Sequence, residues 1–455
     1  MKKIFAALIA LLSVFALVSC GGSDGDKDEK QGSSDQSDTA QSGDDGSDSG
    51  SESDTGNSET SDTASSESGT VTDSNGNEIS SGSASVSFSG TTKTISAAYL
   101  IDGVSVEITS GTYSSASGSS DQTVFLVVNG GSLTIKGSSS SHVKITKSGS
   151  AASGGQVDDN YNFYGINSGI VVAGSSSTAA IEYADITTSA NGANAVVSTA
   201  SATVSISNST ITSTGNAGAR GLHATYGGTI TADSVTITTN GASCASLATD
   251  RGGGTINASN MTLETNSAGS PLIYSTGTIN VSDSTGSANG AQMVVVEGGS
   301  TAKVSGCDFS CSGNGNRTGT SESNSSSHTI DAGGIFIYQS MSGDAANGTD
   351  YFTAENSTLK VTTSGVPMFY VTNITAEITL DGNTFTSASE SDYWLVAEET
   401  DQWGKSGSNG GKVTMTVTNQ DLSGYSAFVG TSSSSLSISA TDSSSTDINK
   451  TTGTW

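Results

Sequence analysis

The stretch "SDYWLVAEETDQWGKSGSNGG", Ser391 to Gly411, gathers Tyr393, Trp394, Glu398, Glu399, Asp401 and Trp403. Flat aromatic faces stack on sugar rings while carboxylates accept hydrogen bonds from sugar hydroxyls, so Trp403, Trp394 and Tyr393 are the candidate glycan-contacting residues. The same three acids could hold Ca2+, a hard cation that prefers several oxygen ligands. The alternative is that Trp394 fills a core and Trp403 caps it.

Other residues could also do chemistry. The one adjacent pair of aspartates in the body, Asp158 and Asp159, lies in the Gly- and Asn-rich "GGQVDDNYNFYG" and is a second candidate for Ca2+ or substrate, or else a solvated loop. His223 in "GLHATYGG" is flanked by Leu222 and Ala224; if those two point inward, it points outward, where Arg220 and Arg251 could join it in a basic spot. Cys307 and Cys311 in "CDFSC" would lie roughly 13 Å apart on one extended strand, beyond disulfide reach. They read as a metal or redox pair, or as small buried apolar side chains. No carboxylate, base and nucleophile stand together as a catalytic set.

What must position these residues is a repeat. "VSISNSTITS" (Val204 to Ser213) alternates like a strand and is then broken by Asn208, a residue type that tolerates the left-handed backbone of a sharp corner. "ITADSVTI", "INASNMTL", "FTAENSTL" and "ITLDGNTF" repeat the phrase from Ile230 to Phe385, with "KVSGCDF" as a looser copy. A compact apolar cluster precedes each copy: "GIVV", "NAVV", "GLHA", "SLAT", "PLIY", "MVVV", "GIFI", "PMFY" and, last, "AFVG". Three strand signals per unit, no helical pattern and a period of about 25 residues early in the chain predict a solenoid whose units bury their apolar faces on one another.

The corner pattern resembles the repeat of right-handed parallel β-helix proteins, the pectate-lyase-like superfamily, which includes lyases, polysaccharide binders and surface adhesins. The resemblance covers roughly residues 83 to 440. It implies an all-β, right-handed, single-stranded parallel β-helix of roughly eleven to thirteen coils. It is nearly silent on activity, since one fold hosts many. Lyases of this fold need carboxylates for calcium and an Arg or Lys base, and its hydrolases use clustered aspartates. The body here has only Arg220, Arg251 and Arg317, and His142, His223 and His328, and it lacks the Asp pairs and Gly-His-Gly of those hydrolases.

The first twenty residues, "MKKIFAALIALLSVFALVSC", resemble a bacterial lipoprotein signal, which implies cleavage before Cys20 and a lipid on its sulfur. Residues 1–19 are then the signal peptide, 20–82 an acidic Ser/Asp/Gly-rich disordered tether, and 83–455 the β-helix. Residues 21–80 carry sixteen acids against two lysines, a net of −14 and half of the chain's −28. Such a segment lacks the apolar residues for a core and self-repels into an extended linker.

Sixteen Lys and Arg against 44 acids, with no basic stripe, exclude the electrostatic footprint of a nucleic-acid binder. Neutral glycans and proteins are not repelled by an acidic surface, whereas polyuronates are unless Ca2+ bridges the charges. The expectation is a surface-exposed, membrane-anchored lipoprotein whose β-helix is a non-catalytic binding or adhesive module for polysaccharide or a host or cell-surface protein. The alternative is a lyase or hydrolase acting on uronate-containing polymers. Rows of Thr at Thr210, Thr212, Thr236, Thr238, Thr384 and Thr386 resemble ice-binding ladders, but Asp185, Glu264, Asp308 and Lys360 break them; ice binding or a purely structural role is the minor reading.

Overall fold

The computed structural model describes residues 70–455 except 117–120, 152–158, 314–316, 322–323, 331–332, 341–344, 390–392, 401, 406, 431–432, 444–447 and 454–455; over 317–330 it describes the backbone alone. Cys20, Asp158, Asp401, the signal peptide and most of the tether fall outside the described residues.

The corner phrase closes each coil. Asn208 takes φ +47°, and its equivalents one coil apart, including Ser234, Asn260, Asp283, Gly306, Asn356, Gly382 and Asn419, also have positive φ. Ordinary L-residues avoid this left-handed region and Asn, Asp and Gly enter it most readily, which is why they recur at this position. Immediately after the corner, Ser209 accepts from the Ala184 amide at 3.0 Å and donates to the Ser207 carbonyl at 2.6 Å, tying one coil to the one before it.

Between corners the chain pairs with itself one coil on, in parallel. Three long sheets result, of 14, 12 and 10 strands among the described residues, and they form a parallel β-helix. The 12-stranded sheet takes one strand from each coil, giving twelve coils. Every quoted apolar cluster supplies a strand of the 14-stranded first sheet, for example Ile170–Ala173, Val294–Glu297 and Phe369–Thr372. The corner phrase supplies the second sheet before its turn, as in Thr203–Ser207, and the third after it, as in Thr210–Ser213.

Register turns alternation into stacks. Val204, Ile230, Ile256 and Ile279 pair successively along the second sheet, and Ile211, Ile237 and Leu263 along the third, all buried in one continuous core. Burying each such side chain contributes about 1.5–3 kcal/mol. At Gly286 the third-sheet row has no side chain because Leu272 fills the space: a Cβ there would stand 2.8 Å from Leu272 Cδ1. Cys307 and Cys311 face the same interior, with the Cys311 thiol pushed up to about 12 by burial. They are free thiols, packed as small apolar side chains.

At the N-terminal side an antiparallel hairpin, Gly82–Phe88 against Thr91–Asp102, extends the edge of the first sheet and packs on its outer side. Residues 70–82, grouped by composition with the tether, lie against the first coil. Val71 is buried, Ile79 packs on the core and Asp73 bridges to Val106. The Asp73 carboxylate accepts from Asn77 and Asn75, which holds it below the usual carboxylate range. The excursion between Asn314 and Gly334 contains an antiparallel hairpin, Arg317–Ser321 against Asn324–Ile330.

Candidate functional site

Between its terminal strands the first sheet is buried on both faces. Its outward row runs in register through Leu126, Val171, Val197, His223, Ala248, Tyr274, Val295, Phe336, Tyr370, Val396 and Phe428. Near its start the row is covered by the N-terminal hairpin and by Tyr161, Phe163, Tyr164 and Ile166, which form a second apolar cluster with Leu126, Val171 and Val197. Near its end Trp403 and Tyr393 cover Phe336, Tyr370, Val396 and Phe428.

This placement revises the first candidate site. "LVAE", directly after Tyr393 and Trp394, is the first-sheet strand of its coil, Leu395–Glu398, paired with Phe369 and Tyr370 on one side and with Ala427 and Phe428 on the other. Trp394 is buried inside the helix, stacked on Tyr425 at 4.9 Å and edge-on to Phe369 and Phe385. Trp403 is 7% exposed, with Tyr338 at 4.8 Å and Phe336 at 5.7 Å occupying its surroundings. Tyr393 is partly exposed and leans on Phe428. Glu398 and Glu399 are buried. Glu398 Oε1 accepts from the Tyr370 hydroxyl at 2.6 Å, while Glu399 accepts from the Ser433 amide and hydroxyl, both at 2.7 Å. Glu399 also accepts from the Gly407 amide at 3.3 Å and so ties the covering loop to the wall, while Glu398 is bonded within the wall; the two tryptophans are packing residues. Asp159, the described half of the aspartate pair, opens the short helix Asp159–Asn162 and faces Arg251 at 3.7 Å.

The middle of the outward row is polar. His223 does project from the outer face, but it is 0% exposed. Arg220 Nη2 lies 3.0 Å from Asp250 Oδ2, and Arg220 Nη1 lies 3.1 Å from His223 Nε2. Burial first, and the neighbouring guanidinium second, push the His223 imidazole well below its usual range. A neutral imidazole that accepts at Nε2 carries its proton on Nδ1. Glu297 Oε2 accepts from Tyr274 at 2.6 Å and Tyr338 at 2.9 Å, and Oε1 from Ser340. The Tyr–Glu pairing of Tyr274 with Glu297 recurs as Tyr370 with Glu398. An acid, a base and a cation therefore share one seam, but they are bonded to one another under cover.

The second sheet shows its outer face to solvent. One row reads Thr178, Thr203, Thr229, Thr255, Thr278, Thr301, Tyr351, Glu377, Thr414 and Ser437 in unbroken register. Beside it Asn280 donates to Asn257 at 2.9 Å, and Lys303 pairs with Glu355 at 2.8 Å. In the next row the Ser259 hydroxyl, the Asn260 amide and Ser234 hold the Asp233 carboxylate below its usual range. The third sheet carries the expected Thr rows, with Asp185 beside Thr210, Glu264 beside Thr238, Asp308 beside Thr285 and Lys360 beside Thr386. Strands stack about 4.8 Å apart, so these faces are lattices of hydroxyls, amides and carboxylates at that interval. The alternation in the sequence carries this pattern, but the composition does not distinguish a displayed row from a covered one.

Comparison with protein-family models, with curated proteins and with solved structures finds no match.

Proposed function

We propose that the chain is a lipoprotein of the bacterial cell envelope, anchored through Cys20 and surface-exposed, whose pectate-lyase-like β-helix is a non-catalytic binding or adhesive module for polysaccharide. The observation that carries this reading is the division of labour among the three sheets. The charged groups of the first sheet are bonded to one another and to its cover, while the second sheet presents a long, regular polar face. A flat array of hydroxyl, amide and carboxylate groups can engage an extended polymer at many weak contacts, and weak contacts along one chain sum to useful avidity.

A glycan array probed with the mature chain carrying Cys20→Ser, and so lacking lipid, tests the binding half. Retention on neutral polysaccharides is expected, and failure to bind any polymer contradicts it. Labelling cells with a fatty-acid analogue tests the anchor: label should be incorporated into the wild type and be lost in Cys20→Ala, and equal labelling refutes the assignment.

A further inference from the structure

We infer that Tyr351 is the sugar-stacking residue of this face, and that its ligand is a neutral polysaccharide running along the helix axis; the inference rests on the binding reading above. Tyr351 is 43% exposed, the one large hydrophobic side chain so exposed among the described residues. It stands where the six preceding coils present Thr, between Thr301 and Glu377. Among the described residues its ring has no aromatic or cationic partner, in contrast to Trp403, Tyr393, Tyr226 and Tyr164. An aromatic ring in place of a small polar residue here forgoes more burial than any other large apolar side chain among the described residues.

The surroundings fit a sugar. On one side the exposed Glu377 carboxylate can accept hydrogen bonds that sugar hydroxyls donate, while Thr301 and Thr353 offer hydroxyls that donate and accept. Lys303, in the neighbouring strand, is already paired with Glu355, and the exposed Glu377 beside the ring repels a uronate. A flat aromatic face flanked by a few oriented polar groups is the usual chemistry of a sugar subsite. Along the axis the row continues into Thr on one side and Glu377, Thr414 and Ser437 on the other, which gives an extended chain polar contacts beyond the stacked ring.

The test compares wild type, Tyr351→Phe and Tyr351→Thr, all with Cys20→Ser, by affinity electrophoresis in soluble neutral glucans, mannans and galactans and in polygalacturonate. Thr is the natural choice because neighbouring coils carry it at this position and it keeps strand propensity. Retention by a neutral polymer should weaken roughly threefold to tenfold in Tyr351→Thr, survive in Tyr351→Phe, and leave the melting temperature unchanged. Equal retention of wild type and Tyr351→Thr overturns this site while leaving the binding reading standing. Retention by polygalacturonate alone overturns the neutral ligand. A wild type that no polymer retards overturns both.

Discussion

Arg220 and Asp250 face each other at 3.0 Å on the outer side of the first sheet, with both side chains almost wholly out of water. Removing one member of such a pair strands a buried charge and is expected to lower stability by about 3–5 kcal/mol. Asp250→Ala should therefore shift the urea midpoint strongly. Replacing both residues with apolar ones of similar volume should restore most of the loss. A single mutant as stable as wild type would show that the pair is solvated.

The corner has its own test. Asn208 holds φ +47°, a conformation that disfavours a β-branched side chain by roughly 1–2 kcal/mol and suits Gly. Asn208→Val should destabilise by that amount in urea unfolding and Asn208→Gly by much less. Equal effects would mean that the Asn side chain, not the backbone, is what the corner needs.

Trp403 seals an aromatic cluster with Phe336 and Tyr338. Trp403→Ala should cost about 3–5 kcal/mol of stability through the lost burial and the cavity left behind. Polysaccharide retention by the folded fraction should be unchanged. Lost retention at an unchanged melting temperature would return Trp403 to the ligand.

Asp350 supplies a pH dependence. It is fully buried; Oδ1 accepts from the Ser300 amide at 3.0 Å, Oδ2 has no hydrogen-bond partner, and burial pushes the acid up to about 8 from its ordinary 3.8. The folded state thus holds this proton more tightly than the unfolded chain does. The stabilisation is fully present below about 3.8, is lost as pH rises through about 8, and changes no further above that. Asp350→Asn, which keeps the acceptor for Ser300, should remove this component from a plot of unfolding free energy against pH between 4 and 8. An unchanged slope would place the titration elsewhere.

The fold was legible because its constraint is local and repeated. One αL corner and two alternating inward residues are specified again in each coil, so "ISNSTI" and "ITLDGNTF" announce the same geometry more than a hundred residues apart. The site was much less legible. "YWLVAEE" is the same apolar phrase as "PMFYVT" or "MVVVE", and reading it in that series would have put Trp394 beside Met368, inside. What drew it out of the series was its acids and aromatics, whose composition is the same whether a loop displays them or folds them back against a wall. Alternation places His223 on the outer face, but the burial of its strand involves Asn162 and Phe163, whose carbonyls accept from its neighbours Arg220 and Thr225 about sixty residues away, contacts no periodicity encodes. Tyr351 is not legible from composition because its signal is positional: it is an aromatic residue in a row that is threonine in the six preceding coils.

A β-helix that holds polysaccharide without cutting it must leave the polymer intact. The most direct measurement is to incubate the lipid-free mature chain with each polymer that retains it, and with polygalacturonate, while following the absorbance of unsaturated sugars, reducing ends and polymer length. Bound polymer should be recovered at full length with no rise in either product signal. A rise in unsaturated sugars or reducing ends that scales with protein concentration would contradict it and establish a lyase or a hydrolase.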